Sequence, residues 1–366
     1  MSSHSVTKIP AWSWIAPVLA ALLLAAKFAG FVDAGTSVGL TLSTLLVGGA
    51  VFAGVHHAEV LALRLGEPFG SILLAVAVTV IEVALIVSLM LSNAPGSEEV
   101  ARDTVFSAVM IVLNGVIGLC LVLGGRRHYE QTFRLQGASA ALAVLGTLST
   151  LVMVLPNFTS TVPGPYFSPF QLLFVAAVSL VLYGVFVFVQ TIRHRDYFLD
   201  AADGQAKTPA ARRPSAVLCA VSLVLLLLSL TAVVLLAKIL SQPLDMLVRA
   251  AGLPQAVVGV VIAGIVLLPE SIASLRAALI NRLQNSINLA LGSALASIGL
   301  TIPAVAGVSL VTGRNLTLGL SSQGIMLLVL TLFVSTLTLG TGRTTVLHGA
   351  IHLVIFGVFL LLSAVP

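Results

Sequence analysis

The stretch IVLLPESIASLRAAL, residues 265–279, places a proline and a glutamate at the end of a long apolar run. Residues 256–268 carry no charge, so Glu270 is predicted to lie inside a hydrophobic segment and not in a loop. About 20 apolar residues suffice for a helix to cross a bilayer. Because an acid inside such a segment is energetically costly, it indicates a functional site unless a structural role explains it.

The composition identifies the bilayer as the solvent of this chain. Of its 366 residues, 58% are hydrophobic and 8% are charged, whereas soluble domains carry roughly 25% charged residues. The sequence therefore predicts an all-α polytopic membrane protein with about 11 transmembrane helices and little room for a soluble domain. The apolar segments cover residues 11–31, 36–55, 69–92, 104–124, 137–156, 169–191, 215–238, 254–280, 286–310, 322–340 and 344–364.

Positively charged residues predict the topology. Twelve of the 18 lysines and arginines fall in or beside the loops that follow even-numbered segments. Because cytoplasmic loops carry an excess of Lys and Arg, we expect the N-terminus in the cytoplasm and the C-terminus outside. The twelve residues are Arg64, Arg126, Arg127, Arg134, Arg193, Arg195, Lys207, Arg212, Arg213, Arg276, Arg282 and Arg343.

One loop with soluble character, RHRDYFLDAADGQAKTPAARRPS, divides the chain near its middle. Five apolar segments follow it, and five precede it when the first segment is set aside. Two similar blocks with an odd number of spans must have opposite orientations in the membrane, which is an inverted repeat typical of secondary transporters. The predicted divisions are an N-terminal tail with the first helix (1–35), a first repeat (36–191), a cytoplasmic linker (192–214) and a second repeat (215–366).

The second helix of each block carries one carboxylate deep in its apolar run. These are Glu82 in LGEPFGSILLAVAVTVIEVALI and Glu270 in LPQAVVGVVIAGIVLLPESIASL. The third helix of each block has a small polar patch, with Asn114 in VLNGVIGL and with Ser293 and Ser297 in ALGSALASIGL. Two acids at equivalent positions favour a shared functional site over two separate structural roles.

Structural alternatives exist for each of these residues. Pro269 followed by Glu270 is also a common start of a helix, in which the glutamate acts as a cap. Glu82 has no such explanation, although a solitary acid can be kept protonated or paired. The small polar residues of the third helices can also serve only to pack helices together.

The histidines form two further groups. His56, His57 and Glu59 are predicted where the second helix meets the cytoplasmic loop, and an interfacial cluster is favoured there over a metal site or a pH sensor. His348 and His352 are four residues apart and share a helix face, a spacing that permits metal chelation. Without a third ligand, a structural or interfacial role is favoured for this pair. Cys120 and Cys219 both fall in apolar runs, which favours packing over a disulfide.

The whole chain resembles the cation/calcium exchanger superfamily, specifically its bacterial calcium/proton antiporters. The likeness is carried by GVHHAEVLALRLGEPFGS (54–71) and PESIASLRAALINRLQNSINLALGSALASIGLTIP (269–303). In proton-coupled members, each repeat has a Gly-Asn-x-x-Glu motif followed one helix later by a Gly-Ser motif. The resemblance implies that Glu82 and Glu270 bind both cation and protons, and that Ser293 is a further ligand. It also implies a multi-pass protein of the bacterial inner membrane.

This chain departs from the motif of the superfamily at several positions. The Gly-Asn pair is replaced by Val78-Thr79 in the first repeat and by Val266-Leu267 in the second, and Asn114 stands at the first Gly-Ser position. These replacements leave the number of ligands and the preferred ion open.

The expected chemistry is cation exchange. Ca²⁺ takes six to eight oxygen ligands, which the two carboxylates, Ser293, Asn114 and carbonyls freed at Pro269 could supply. Buried, mutually repelling carboxylates hold protons when the cation leaves, so cation and protons compete for the same oxygens. The partners are then the lipid bilayer and Ca²⁺ with H⁺ as substrates, with Na⁺ or K⁺ as alternative ions. No cofactor and no nucleic acid is expected, and the oligomeric state is open.

Two other classes of function are weighed against the exchanger. An intramembrane enzyme would need a nucleophile or metal motif such as Gly-x-Ser-x-Gly or His-Glu-x-x-His, and neither motif occurs. A passive channel would more naturally use a ring of acids in a symmetric oligomer.

Overall fold

The computed structural model describes residues 10–31, 36–66, 69–91, 96–199 and 214–366. Within these ranges, eleven helices are long and apolar enough to cross a membrane, which confirms the predicted all-α polytopic architecture. They are α1 (Ala11–Phe28), α2 (Ser37–Leu65), α3 (Phe69–Met90), α4 (Val100–His128), α5 (Leu135–Phe158), α6 (Pro169–Arg193), α7 (Ala216–Ala250), α8 (Ala256–Leu279), α9 (Leu283–Thr312), α10 (Ser322–Leu339) and α11 (Val346–Ala364).

Two of these helices contain a wider π-type turn in their interior. In α4 it covers Ile111–Val116, and in α9 it covers Ser297–Thr301. Turns of this kind are rare and occur frequently at functional sites. Two other helices have π-type turns nearer their C-terminal ends, at Thr150–Val154 in α5 and Val189–Arg193 in α6, and a 3-10 turn at Leu155–Phe158 completes α5.

Local sequence explains where several helices begin and end. At the start of α6, the Ser168 hydroxyl accepts from the Gln171 backbone N–H while the Gln171 side chain accepts from the Ser168 N–H, and Pro169 occupies the first helical position. This reciprocal cap satisfies two backbone donors that would otherwise lack partners. Helix α9 ends at Gly313, whose φ of +67° suits a residue without a side chain.

Three helices extend at least about one turn beyond the end that hydropathy predicted, and others extend by two or three residues. Helix α2 continues to Leu65 instead of ending at residue 55, α7 continues to Ala250 instead of 238, and α4 begins at Val100 instead of 104. Charged and polar residues are tolerated in helix ends because a helix can continue past the hydrocarbon core. The predicted position of the first histidine group at the end of α2 is therefore wrong, because His56 and His57 lie inside that helix.

The first compact unit consists of α1, α2, α3 and α7. Its centre includes the small residues Ala58 and Ala77 together with Leu226, all nearly fully buried. Gly54 of α2 allows a close approach, since a Cβ there would lie 3.5 Å from Ser229 of α7. Small residues at helix crossings are typical of packing in membranes, where close contact replaces the hydrophobic effect.

The second compact unit consists of α4, α5, α6 and α8 to α11. Helix α4 is the most enclosed span, because 83% of the residues in its 18-residue apolar stretch are buried. It approaches α11 very closely, because a Cβ at Gly349 would lie 2.7 Å from the Gly118 carbonyl oxygen. Two short antiparallel strands, β1 (Gln131–Thr132) and β2 (Arg343–Thr344), connect the chain just after α4 to the chain just before α11.

The predicted division of the chain into a tail with the first helix, two repeats and a linker stays a prediction. The tail up to residue 9 and most of the predicted cytoplasmic linker, residues 200–213, lie outside the described residues. Of the basic residues used to predict topology, Lys207, Arg212 and Arg213 belong to that part of the chain.

Candidate cation-binding site

Glu82 lies in the first unit, in the middle of α3. Its residue is 4% exposed, and the flanking Ile81 and Ile86 are almost completely buried. Thr79, one turn earlier on the same helix, is also buried. Helix α3 contains no other charged residue, so Glu82 is the single acid of an apolar helix, as the sequence predicted.

Glu270 lies in the second unit, half-buried and fourteen residues after the start of α8. Helix α8 continues through Pro269 without a break, so the alternative in which Glu270 caps the start of a helix is wrong. The expected interruption of the helix at Pro269 is also absent. A proline inside a helix nevertheless has no N–H to donate, which leaves the carbonyl of Ile265 without its usual helical donor.

The predicted polar patches coincide with two of the four π-type turns among the described residues, those of α4 and α9. Asn114 lies inside the turn of α4 and is fully buried, whereas Ser297 begins the turn of α9 and is 4% exposed. Ser293 lies one helical turn before Ser297 and is half-buried. Because a π-type turn shifts the backbone hydrogen-bond register, it can present a carbonyl or a side chain that a regular helix would not.

Asn114 belongs to a polar network that the sequence did not predict. Its Nδ2 donates to Oγ1 of Thr331 on α10 over 2.9 Å and lies 3.8 Å from the Met110 sulfur. Its Oδ1 lies 3.0 Å from Nδ1 of His352 on α11. The opposite ring nitrogen of His352 lies 3.2 Å from Oγ1 of Thr338. The network therefore joins three helices of the second unit around a predicted site residue.

His352 is far more buried than the sequence indicated, and His348 lies in different surroundings. His352 is 1% exposed, whereas His348 is half-exposed and accepts from the Thr345 backbone N–H at the start of α11. The spacing of four residues indicated a shared face. Because α11 is apolar all around, it gave no sign that this face points into the protein.

The first histidine group connects two helices of the first unit. Nε2 of the fully buried His57 lies 3.0 Å from the Ser13 carbonyl oxygen of α1, and the His56 ring lies against Trp12. Glu59, three residues after His56, is exposed. Among the described residues, no group of three or more His, Cys, Asp or Glu residues could hold a metal ion. The two cysteines are free and buried.

Asp103 is a buried ionisable residue near the start of α4 that was not among the predicted site residues. It is 7% exposed, and its Oδ1 accepts from Nε of Arg102 over 2.8 Å. Arg102 also pairs with Glu99 and donates to the Gly319 carbonyl oxygen. The predicted segment began at residue 104, one residue after Asp103, whereas the helix begins at Val100.

The sequence of this chain matches one family profile and is similar to proteins named as ion transporters. The profile of the family described as sodium/calcium exchanger protein matches residues 36–192 and 221–365. The y4hA protein of Sinorhizobium fredii is 63% identical over 358 residues, covering 98% of this chain and 97% of that protein. The sodium-potassium/proton antiporter ChaA of Escherichia coli is 36% identical over 314 residues, covering 85% of each chain.

Solved structures share the fold at low sequence identity. The structure of native YfkE aligns with a TM-score of 0.73 at 15% identity, covering 97% of this chain and 100% of that one. The H⁺/Ca²⁺ exchanger CAX aligns with a TM-score of 0.70 at 15% identity, covering 95% and 87%. At this level of identity, the likeness concerns the fold alone.

Proposed function

The chain belongs to the sodium/calcium exchanger protein family, and we propose that it exchanges cytoplasmic Ca²⁺ for external protons by alternating access. As a member of that family it is a multi-pass cation exchanger of the inner membrane. The proposal adds the ion, the coupling to protons and the residues that bind them.

The observation that carries the proposal is one carboxylate in the interior of each of two apolar helices, Glu82 in α3 and Glu270 in α8. An ionised carboxylate in such surroundings is costly unless a cation or a proton neutralises it. We propose that both glutamates bind the transported cation and that both carry protons when the cation is absent.

Further oxygen ligands are available on the helices of the second unit. Ser293 on α9 offers a hydroxyl, and the carbonyl of Ile265 lacks its helical donor because of Pro269. Asn114 offers an amide oxygen that has two lone pairs, of which the described network uses one. Such a set of hard oxygens suits Ca²⁺, which accepts carboxylates, carbonyls and water in flexible geometries.

Coupling to protons requires no additional residue. A carboxylate in an apolar environment holds a proton more readily than one in water, and a bound cation displaces that proton. If the protein changes orientation only when cation or protons are bound, the two are exchanged across the membrane. An inward proton gradient then drives the cation out of the cytoplasm.

A second candidate is exchange of Na⁺ or K⁺ for protons without calcium transport. It is favoured by one observation, the 36% identity to a protein named as a sodium-potassium/proton antiporter. The same two carboxylates would serve, with fewer additional ligands. A passive cation channel is a weaker candidate, because it would not move protons in exchange for cations.

The experiment that separates these candidates is cation-induced proton movement in inverted membrane vesicles. The vesicles are energised by respiration, and Ca²⁺, Na⁺ and K⁺ are added separately while a fluorescent dye reports the internal pH. Alkalinisation with Ca²⁺ supports the proposal, and alkalinisation with Na⁺ or K⁺ alone supports the second candidate. If none of the three cations moves protons, the exchange proposal fails.

A further inference from the structure

The buried imidazole of His352 has no part in the function described so far. It lies between α4 and α10, where it contacts Asn114 with one nitrogen and Thr338 with the other. We propose that His352 is a positioning residue for cation binding, because it orients the Asn114 side-chain oxygen. This inference rests on the proposed function, to which it adds a residue that positions one ligand of the proposed cation site.

The protonation of the ring follows from the partners of Asn114. Nδ2 of Asn114 faces the Thr331 hydroxyl and the Met110 sulfur, so Oδ1 is the atom that faces His352. An amide oxygen only accepts hydrogen bonds, and therefore Nδ1 of His352 must carry a hydrogen. In the neutral ring, Nε2 is then an acceptor and takes the hydrogen of the Thr338 hydroxyl.

The same contacts restrict the rotation of the amide. The Thr331 hydroxyl lies 3.4 Å from the Met110 sulfur, to which it can donate while it accepts from Asn114. Turning the Asn114 amide over would place its N–H₂ group against the ring N–H of His352 and would remove the donor that faces Thr331. Both Asn114 and Thr331 are completely buried, so water does not replace the lost bonds.

The orientation matters because one lone pair of the Asn114 oxygen stays available. His352 occupies the other lone pair and fixes the direction of the carbonyl group. Asn114 lies within the π-type turn of α4, where the backbone departs from the regular helical register. Close packing keeps the donor in place, since a Cβ at Gly118 would lie 3.1 Å from the His352 Cβ.

Two substitutions distinguish the roles of the two ring nitrogens of His352. In His352→Asn, the side-chain amide nitrogen replaces Nδ1 and keeps a donor for Asn114, while Thr338 turns its hydroxyl to a carbonyl of its own helix. In His352→Gln, the amide nitrogen replaces Nε2 and keeps a contact with Thr338, while the donor to Asn114 is lost. Ser335→Ala on α10 is the control, because Ser335 is equally buried and its hydroxyl has no hydrogen-bond partner among the described residues.

The measurement is the half-saturating cation concentration and the maximal rate of proton movement in inverted vesicles. We expect His352→Gln to raise the half-saturating concentration about tenfold with little change in maximal rate, the effect of one misdirected ligand. His352→Asn and Ser335→Ala should stay within about twofold of the unaltered protein. Equal effects in the Asn and Gln variants, or no effect in either, would overturn the inference and indicate that His352 only packs helices.

A binding measurement keeps this inference distinct from the proposed function. Cation-dependent thermal stabilisation of each purified variant in detergent reports affinity for Ca²⁺, Na⁺ or K⁺ without any proton movement. If the unaltered protein binds a cation but moves no protons, the exchange proposal fails, and the difference between the Asn and Gln variants still decides the role of His352. If it binds none of the three cations, both proposals fail.

Discussion

Glu82 and Glu270 occupy the interiors of their helices in different local surroundings. Glu82 lies in an uninterrupted apolar helix between bulky aliphatic residues and is almost fully buried. Glu270 directly follows a proline that leaves a backbone carbonyl without its helical donor, and it is half-buried. If the two glutamates bind a cation as proposed, we expect the Ile265 carbonyl of the same helix to add an oxygen ligand near Glu270, whereas Glu82 has no such carbonyl in its helix.

The first prediction is that Glu82→Gln and Glu270→Gln each abolish cation-driven proton movement. Glutamine preserves the shape and one carbonyl oxygen but has no charge and cannot release a proton. We expect a loss of at least roughly a hundredfold, equivalent to about 3 kcal/mol of lost interaction with a charged ligand. Dye-monitored proton movement in inverted vesicles measures the loss.

A matched control for these two variants is Glu59→Gln on α2, because Glu59 is exposed. It should retain full exchange, although it removes the same charge from another apolar helix. Gel filtration of all three variants checks folding. Exchange that survives in both Glu82→Gln and Glu270→Gln would exclude the pair as the cation site.

At the scale of the helices, hydropathy predicts which helices exist better than it predicts where they begin and end. All eleven spans were predicted because each contains a long apolar run, but α2, α4 and α7 extend into residues that a hydropathy window rejects. The π-type turns could not be predicted, because hydropathy does not report the register of backbone hydrogen bonds. The sequence did identify both glutamates, because a charge in an apolar run is visible without knowledge of its neighbours.

The hydrogen-bond network around His352, unlike the two glutamates, could not be predicted from the sequence. Its members Asn114, Thr331, Thr338 and His352 come from three helices, and Asn114 lies 217 residues from Thr331 and 238 residues from His352 in the chain. Single polar residues in apolar helices are common, and only tertiary packing tells which of them meet. The sequence therefore predicted Asn114 as a candidate ligand without its partners.

The second prediction concerns the crossing of α4 and α11. In Gly349→Ala, the added methyl group would lie 2.7 Å from the backbone atoms Gly118 O and Val122 N, which cannot move without separating the helices. We expect a loss of about 1–3 kcal/mol in stability, the usual cost of overpacking. Thermal unfolding of the purified protein in detergent measures this cost.

The control is Gly357→Ala on the same helix, where an added Cβ meets no atom within 4 Å. Both substitutions gain the same helix propensity of about 1 kcal/mol, so the difference between them reports the contact alone. An equally stable pair of variants would show that α4 and α11 do not approach as closely as described.

At the scale of the whole molecule, the eleven spans found among the described residues and the distribution of charge together give the expected orientation. An odd number of spans places the two termini on opposite sides of the membrane, and the excess of Lys and Arg selects which terminus is cytoplasmic. In the expected orientation, the proposed exchange would load external protons from the side of the C-terminus.

The third prediction tests this orientation with reporter fusions. Alkaline phosphatase fused after Pro366 should be active, because that enzyme folds only outside the cytoplasm. A fusion after Ala206, in the predicted cytoplasmic linker, should be inactive there, and a green fluorescent protein at the same position should be bright. An inactive phosphatase after Pro366 would contradict the orientation and reverse the proposed sides of cation and proton.

The last prediction concerns pH, and its sign follows from competition between cation and protons. Lowering the pH loads the cation-free carboxylates with protons that the cation must displace, so the apparent cation affinity should fall as the pH falls. If two protons compete with one cation, affinity changes up to about a hundredfold per pH unit, or about 1.4 kcal/mol per proton. At a pH where both carboxylates of the cation-free protein are ionised, the profile should become flat.

Residual binding in Glu82→Gln or Glu270→Gln should show about half of the slope, because one titrating ligand remains. Calorimetry of Ca²⁺ binding at a series of pH values measures all three slopes, and a flat profile for the unaltered protein would mean that cation and protons bind at different places.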